Sequence, residues 1–334
     1  MIKYGIVGAG WRSEFYLRIA ALMPDTFKVS GIYIRNKQKQ AEFSTRYNVP
    51  IFDTLEKLLE TDYDFIVSCV NKTGICDTVK ELCGNDIPLL TETPIGTSNK
   101  EIDDFLREIK PDWRVQVAEQ FHFQPRNAAI KNVIESGILG EITQVQLSCC
   151  HDYHAASLIR FFLGTGDEMP EGFSFNLPDT VTRYNSRSGL LKEPKTVTAE
   201  EKFVVLKFKE KTALYDFNYE QYFSDIRRSR ILIRGTNGEI LNDECTYLKN
   251  GLPHYFKLQR NSYGANESLD GFTLVNITAE GNVVYENPFK GARLSDEEIA
   301  IATCLLNMKK YLETGTPFYS IKDAALDSKI FFSV

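Results

Sequence analysis

The residue types best suited to chemistry come first in the chain. Tyr4-Gly5-Ile6-Val7 reads as a short buried strand running into Gly8-Ala9-Gly10-Trp11-Arg12-Ser13, and a helical pattern follows with Phe15, Ile19 and Leu22 on one face. Gly8 permits a tight strand-to-helix turn. Gly10 lets backbone N–H groups approach a pyrophosphate at a helix N-terminus, whose dipole and donors favour an anion. Ser13 stands where a third glycine is usual. A nucleotide-phosphate cradle is expected, with Gly8, Ala9, Gly10, Trp11 and Arg12 at the cofactor.

Dinucleotide folds usually carry an acid at the end of the second strand, where it accepts from the ribose hydroxyls and repels a 2′-phosphate. Here that strand ends Ile32-Tyr33-Ile34-Arg35-Asn36-Lys37. Arg35 and Asn36 are therefore expected at the cofactor, and NADP is expected over NAD. A charge-assisted bond contributes roughly 1.5–3 kcal/mol, about one to two decades of affinity.

The chain has 4 histidines. An imidazole titrates at about 6.5, close to a neutral working pH, so it suits proton transfer. Two of them lie in Cys149-Cys150-His151-Asp152-Tyr153-His154. That cluster invites a metal, yet adjacent cysteines on a strand point to opposite faces and no second Cys/His pair of suitable spacing follows. No metal is expected.

These groups need elements to position them. Apolar runs at 29–34, 65–70, 88–90 and 115–118 alternate with helical patterns near 38–47, 54–60, 75–82 and 100–109. That alternation predicts a doubly wound parallel sheet of Rossmann type. Past Pro125 a helix at 128–136 leads into strands with two-residue alternation, and 203–208 with 213–219 suggest a hairpin, so a C-terminal α+β domain with a large, mainly antiparallel sheet is expected. The predicted boundary gives 1–120 to the nucleotide-binding domain and 121–334 to a substrate-binding and oligomerisation domain. Ser295-Asp296-Glu297-Glu298 predicts a capped helix ending at Gly315.

With 334 residues, 43% hydrophobic, 25% charged and a net charge of -6, the composition is that of a globular protein and argues against a nucleic-acid partner. The basic and aromatic run Tyr219–Arg230 is expected at a sheet edge or subunit contact, with the strand 230–234 contributing there. No apolar run approaches the ~18 residues of a membrane span. Scattered cysteines suggest reduced thiols, so no membrane partner and a cytoplasmic location are expected.

At Leu89-Leu90-Thr91-Glu92-Thr93-Pro94, a strand ending in Glu-x-Pro after a Rossmann opening resembles the glucose-fructose oxidoreductase and inositol dehydrogenase (Gfo/Idh/MocA) family. The stretch 115–125 resembles that family's interdomain segment, 135–142 its next helix and strand, and 233–240 a late strand and turn. The resemblance implies an NAD(P)-dependent oxidoreductase that moves hydride between nicotinamide and a small polyhydroxylated substrate, a sugar, sugar acid or cyclitol. It also implies assembly as a homodimer or homotetramer, and cofactor contacts from Val70, Asn71, Glu92, Thr93 and Gln120.

The family's Glu-Lys-Pro lysine is Thr93 here, and its Asp-x-x-x-His reads Cys150 and His154. Threonine is too weak an acid and base to replace an ammonium near neutrality. His154 is therefore the expected acid/base, with His122 orienting substrate, Thr93 at the catalytic position, and Glu119, His151 and Tyr153 binding substrate. Two other functions follow from the missing lysine or from the family: a catalytically weak NADP(H) sensor, and a redox-neutral glycosidase.

Overall fold

The computed structural model describes residues 1–264 and 271–334. By its contacts the chain forms two compact units. The first comprises Met1–Pro125, Ser262–Val275 and Asn287–Lys329, and the second Arg126–Asn261, Asn276–Glu286 and Ile330–Val334.

In the first unit, strands β1 (Ile2–Val7), β2 (Phe27–Tyr33), β3 (Ile51–Phe52), β4 (Phe65–Ser68), β5 (Leu89–Thr91) and β6 (Val115–Val117) pair in parallel, in the order β3-β2-β1-β4-β5-β6. Helices α1 (Trp11–Leu22), α2 (Lys37–Arg46), α3 (Leu55–Leu59), α4 (Ile75–Gly84) and α5 (Asn99–Glu108) alternate with them. Strands covered on both faces must be apolar on both. Accordingly Ile6, Ile32, Ile66 and Leu90 are fully buried. The strand order reverses between β1 and β4, the place where such sheets bind ligands beyond their carboxyl ends.

Helix α1 is rotated from the expected face. It buries Ser13, Tyr16, Leu17 and Ile19, while Leu22 is 38% exposed. Tyr16 causes this: its hydroxyl donates to Glu92 at 2.6 Å inside the unit, so the buried stripe follows the tyrosine.

The second unit holds helix α6 (Pro125–Glu135), strand β7 (Ile142–Ser148), helix α7 (Asp152–Leu163) and strands β8 (Glu171–Ser186), β9 (Gly189–Lys207), β10 (Thr212–Asn218), β11 (Arg230–Gly235), β12 (Gly238–Leu241), β13 (Glu244–Lys249) and β14 (Leu252–Lys257). They form one sheet of order β14-β13-β12-β11-β7-β10-β9-β8, parallel at β7/β10 and antiparallel elsewhere. Strand β11 pairs with β7 and β12, so 230–234 is interior to the sheet, not at its edge; the edges are β8 and β14. Residues 219–223 form a one-turn 3-10 helix instead of an edge segment.

Strands β15 (Gln259–Tyr263), β16 (Thr273–Ala279) and β17 (Asn282–Glu286) make a small sheet, and helices α8 (Asp296–Thr314) and α9 (Ile321–Phe332) follow. Sequence order placed α8 with the second domain, yet it packs with the first unit, against α1 and the 3-10 turn Gln120–Phe123. Its start is well made for that: Ser295 and Glu298 form a capping box, and three acids in the first turn suit the helix dipole.

Candidate functional site

Two groups of side chains stand out, one in each unit. In the first unit, β1 delivers the chain to Gly8, whose φ of +104° suits glycine and where a Cβ would lie 2.7 Å from the Cys69 carbonyl. Gly10 is different. Its backbone is extended, and a Cβ there would meet only the Cys69 carbonyl at 3.7 Å, an ordinary contact. Nothing in the protein demands glycine at position 10, so its missing side chain leaves room at the start of α1, which has no side-chain cap. A nucleotide phosphate fits that requirement.

The side of the cradle towards α2 carries a cation. Asn36 caps α2 by accepting the Lys39 N–H at 3.1 Å, and the Lys39 ammonium donates to the Ala9 carbonyl at 2.8 Å. Sequence reasoning named Arg35 and Asn36 and missed Lys39; the available signal was a lysine one turn beyond a capping Asn. Arg35 is exposed at the end of β2. Val70 and Asn71 follow β4 directly after Cys69, and Asn71 accepts from the Thr73 hydroxyl at 2.8 Å.

Arg12 is turned inward. Its guanidinium reaches Glu297 at 2.7 Å and Glu92 at 3.4 Å, and lies 5.2 Å from the centre of the Trp11 ring. It can therefore serve a phosphate only through its backbone. Glu297 also accepts from Gln120 and Gln124, each at 2.9 Å. Gln120 is 1% exposed, and its carbonyl oxygen accepts from no donor among the described residues. Burial works against the Arg12 charge, but Glu92 and then Glu297 outweigh it, so its pKa rises. Burial raises the Glu92 carboxyl against the pull of Arg12, and it raises Glu119 to about 8. Glu119, expected to touch substrate, is 1% exposed and accepts the Phe121 N–H at 3.2 Å. Glu297 was legible only as a helix-start acid; its partners lie more than 170 residues away.

Thr93 is half-buried beyond β5, and the Thr93–Pro94 peptide is cis. His122 is half-buried and packs edge-on against Tyr319, with ring centres 5.1 Å apart.

In the second unit, β7 stops at Ser148, so Cys149 and Cys150 are not strand neighbours facing opposite ways. Their sulfurs lie 3.7 Å apart. Helix α7 starts at Asp152, whose φ of +36° is unusual for a residue with a side chain and whose N–H donates to the Tyr215 hydroxyl at 3.2 Å. This turn gathers His151, Tyr153 and His154. The His151 ring contacts the Tyr222 hydroxyl through Nδ1 at 2.8 Å and the Tyr153 hydroxyl through Nε2 at 3.1 Å. The His151 N–H also donates to Tyr222, at 3.0 Å. Burial pushes the Tyr222 phenol well above the usual range. His154 is 4% exposed, its ring 5.0 Å from His151 and 4.4 Å from Tyr153. Tyr222 belongs to the run first expected at a sheet edge. Among the described residues no group of three or more His, Cys, Asp or Glu side chains is placed to hold a metal ion.

A doubly wound sheet with a glycine cradle at its switch point defines a dinucleotide-binding protein. Residues 2–119 match the model of the GFO_IDH_MocA family, described as an oxidoreductase family with an NAD-binding Rossmann fold, in agreement with the resemblance the chain's motifs carry.

Over its full length the fold is shared with solved structures. One is an oxidoreductase from Agrobacterium radiobacter in complex with NAD+, L-tartaric acid and magnesium, at 14% identity and a TM-score of 0.65, covering 99% of this chain and 94% of that one. Another is apo scyllo-inositol dehydrogenase from Lactobacillus casei, at 12% identity and a TM-score of 0.64, covering 100% and 94%. Among curated proteins, L-aspartate dehydrogenase of Methanococcus maripaludis is 26% identical over 174 residues, 51% of this chain. The match spans 63% of that relative's length.

Proposed function

We propose that this chain is an NADP-dependent oxidoreductase moving hydride between nicotinamide and a hydroxyl-bearing carbon of a small polyhydroxylated substrate, a sugar, sugar acid or cyclitol. The observation that carries this is the cradle: room at Gly10 beside an uncapped helix start, with Lys39 bonded to Ala9 and Arg35 exposed where an acid would select NAD. When bound, the cofactor supplies the hydride acceptor. The residues that would hold it are the backbone of Gly8–Arg12, Arg35, Asn36 and Lys39, with Val70, Asn71, Glu92, Thr93 and Gln120 as further contacts. The substrate class rests on the family and on the inositol dehydrogenases that share the fold. His122 is proposed to orient substrate, and the group around His151 and His154 to move the hydroxyl proton.

The test is a titration with NADPH and, separately, NADH, followed by nicotinamide fluorescence. Tighter binding of NADPH is expected; failure of both to bind overturns the proposal. Thr93 at the lysine position favours one second reading, an NADP(H) sensor, which would bind the cofactor without turnover. Net nicotinamide absorbance change on a polyol panel marks the oxidoreductase and its absence the sensor, while product release without that change would mark redox-neutral glycosidase chemistry.

Assembly as a homodimer or homotetramer is part of the proposal. The exposed Phe173, Phe175 and Leu177 along the edge strand β8 support it, and sedimentation tests it. A cytoplasmic location agrees with seven cysteines outside any disulfide. No helix among the described residues is long and apolar enough to cross a membrane.

A further inference from the structure

We infer that Cys149 and Cys150 are a redox-sensitive switch: oxidation closes a disulfide between these neighbouring residues and loosens the turn that starts α7. The switch does not depend on the oxidoreductase reading above, since every residue it uses lies in the second unit.

Adjacent residues of an extended strand point their side chains to opposite faces. Here β7 ends at Ser148, and the turn after it brings the two side chains together, with the Cys149 thiol donating to the Cys150 sulfur at 3.7 Å. The two sulfurs differ in access: Cys149 is half-buried and Cys150 fully buried. That asymmetry sets the order of events. An oxidant meets Cys149 first, and Cys150 stands in place to displace what Cys149 has acquired. The other five, Cys69, Cys76, Cys83, Cys245 and Cys304, are buried, and burial pushes each thiol up, away from the reactive thiolate.

The oxidant is a small disulfide, with oxidised glutathione as the probe. In the first exchange the Cys149 sulfur bonds to one glutathione sulfur, the S–S bond of the oxidant breaks, and the Cys149 proton leaves on the released glutathione thiol. In the second the Cys150 sulfur bonds to the Cys149 sulfur, the mixed disulfide breaks, and the Cys150 proton leaves on the second glutathione. Two cysteine thiols are oxidised to one disulfide, and one glutathione disulfide is reduced to two thiols.

A disulfide ordinarily joins residues whose Cα atoms lie about 4.4–6.8 Å apart, whereas adjacent Cα atoms stand about 3.8 Å apart, so this ring is strained and readily reduced again. That suits a reversible device, not a permanent staple. Its closing draws the sulfurs from 3.7 Å to about 2 Å and so moves the backbone that follows. The next two residues pin that backbone: the His151 N–H donates to the Tyr222 hydroxyl at 3.0 Å, and the Asp152 N–H to the Tyr215 hydroxyl at 3.2 Å. Asp152 sits in the left-handed region, at a φ of +36°, which leaves the turn little room to absorb the shift. These two bonds are what oxidation weakens.

The test incubates the full chain with oxidised glutathione, blocks the remaining thiols and digests with trypsin. No Lys or Arg lies between Lys131 and Arg160, and residues 132–160 contain Cys149 and Cys150 and no other cysteine. That fragment is expected to carry no blocking group, to be lighter by two hydrogens than the dithiol, and to regain them with dithiothreitol. Cys150→Ala is expected to trap one glutathionyl group on Cys149, and Cys149→Ser to leave the fragment without glutathione. Hydrogen exchange at the amides of 151 and 152 is expected to speed up on oxidation by about fivefold or more in the wild type, and not in Cys149→Ser. A wild-type fragment that stays reduced, keeps glutathionyl groups or links to another cysteine-bearing fragment overturns the switch. So does a disulfide that forms while exchange at 151 and 152 is unchanged. The wild-type measurements decide by themselves if the Cys150 variant does not fold.

Discussion

Helices α1 and α7 both begin just after a strand, and they use that start in opposite ways. At α1 the turn is glycine, the helix has no side-chain cap, and the nearby polar side chains form a charged network: half-buried Arg12 and Glu297 with buried Glu92, joined by two glutamines. At α7 the turn is made by His151 and Asp152, and the polar groups are an imidazole and phenols. Such charges resist rearrangement, because each ion has lost much of its water and depends on its partner. Such a network makes a rigid platform. Phenol and imidazole groups can be buried without a charge, so they depend less on any one partner.

The sharpest way to break the contrast is Arg12→Met. It leaves Glu92 and Glu297 without their counter-ion, and a loss of about 3–5 kcal/mol in unfolding free energy is expected by thermal or urea denaturation. Tyr222→Phe, which removes only neutral hydrogen bonds, should cost about 1 kcal/mol. Equal effects would erase the distinction.

Next in size is a pH effect. Burial raises Glu119 to about 8 from an ordinary 4.5, so between those values the folded protein holds a proton that the unfolded chain has released. Stability should therefore fall as pH rises through that window, by about 1.4 kcal/mol per pH unit from this group. Glu119→Gln removes the slope, so its advantage over wild type should grow from pH 5 to pH 8. Parallel curves in urea melts would show that the proton is not held there.

The glycines divide stability from binding. Gly8→Ala strains a left-handed turn against the Cys69 carbonyl and should destabilise by about 1–3 kcal/mol. Gly10→Ala meets only an ordinary contact, so its melting temperature should hold while NADPH affinity drops about tenfold or more. Smallest is cofactor choice. Arg35→Ala should narrow the NADPH preference by about one to two decades, and Lys39→Ala by less, since Lys39 already donates to Ala9. Equal ratios of NADPH to NADH affinity in the variants and the wild type would remove the cations from specificity.

Much of this was legible in the residues. Strand β1, the Gly8–Gly10 turn, the parallel alternation and the Ser295 cap all depend on neighbours within a few positions, where apolar periodicity and capping chemistry act. The face of α1 was not, because Tyr16 is drawn inward by Glu92, 76 positions away. The place of α8 was misjudged for the same reason: its first turn is acidic in any fold, but only packing shows that Arg12, Gln120 and Gln124 are what those acids meet. Tyr222 looked like part of a surface run until the chain brought it to His151.

By itself, then, the sequence determined the glycine turn after β1, a two-part α/β architecture and a threonine before Pro94, since these follow from local backbone preference and residue identity. Which carboxylates surround Arg12, which cation joins Ala9 and which phenols hold His151 were decided only by tertiary structure. Hydrogen bonds and ion pairs reach about 3–4 Å, and no spacing along the chain reveals which distant side chains the fold will bring within that distance.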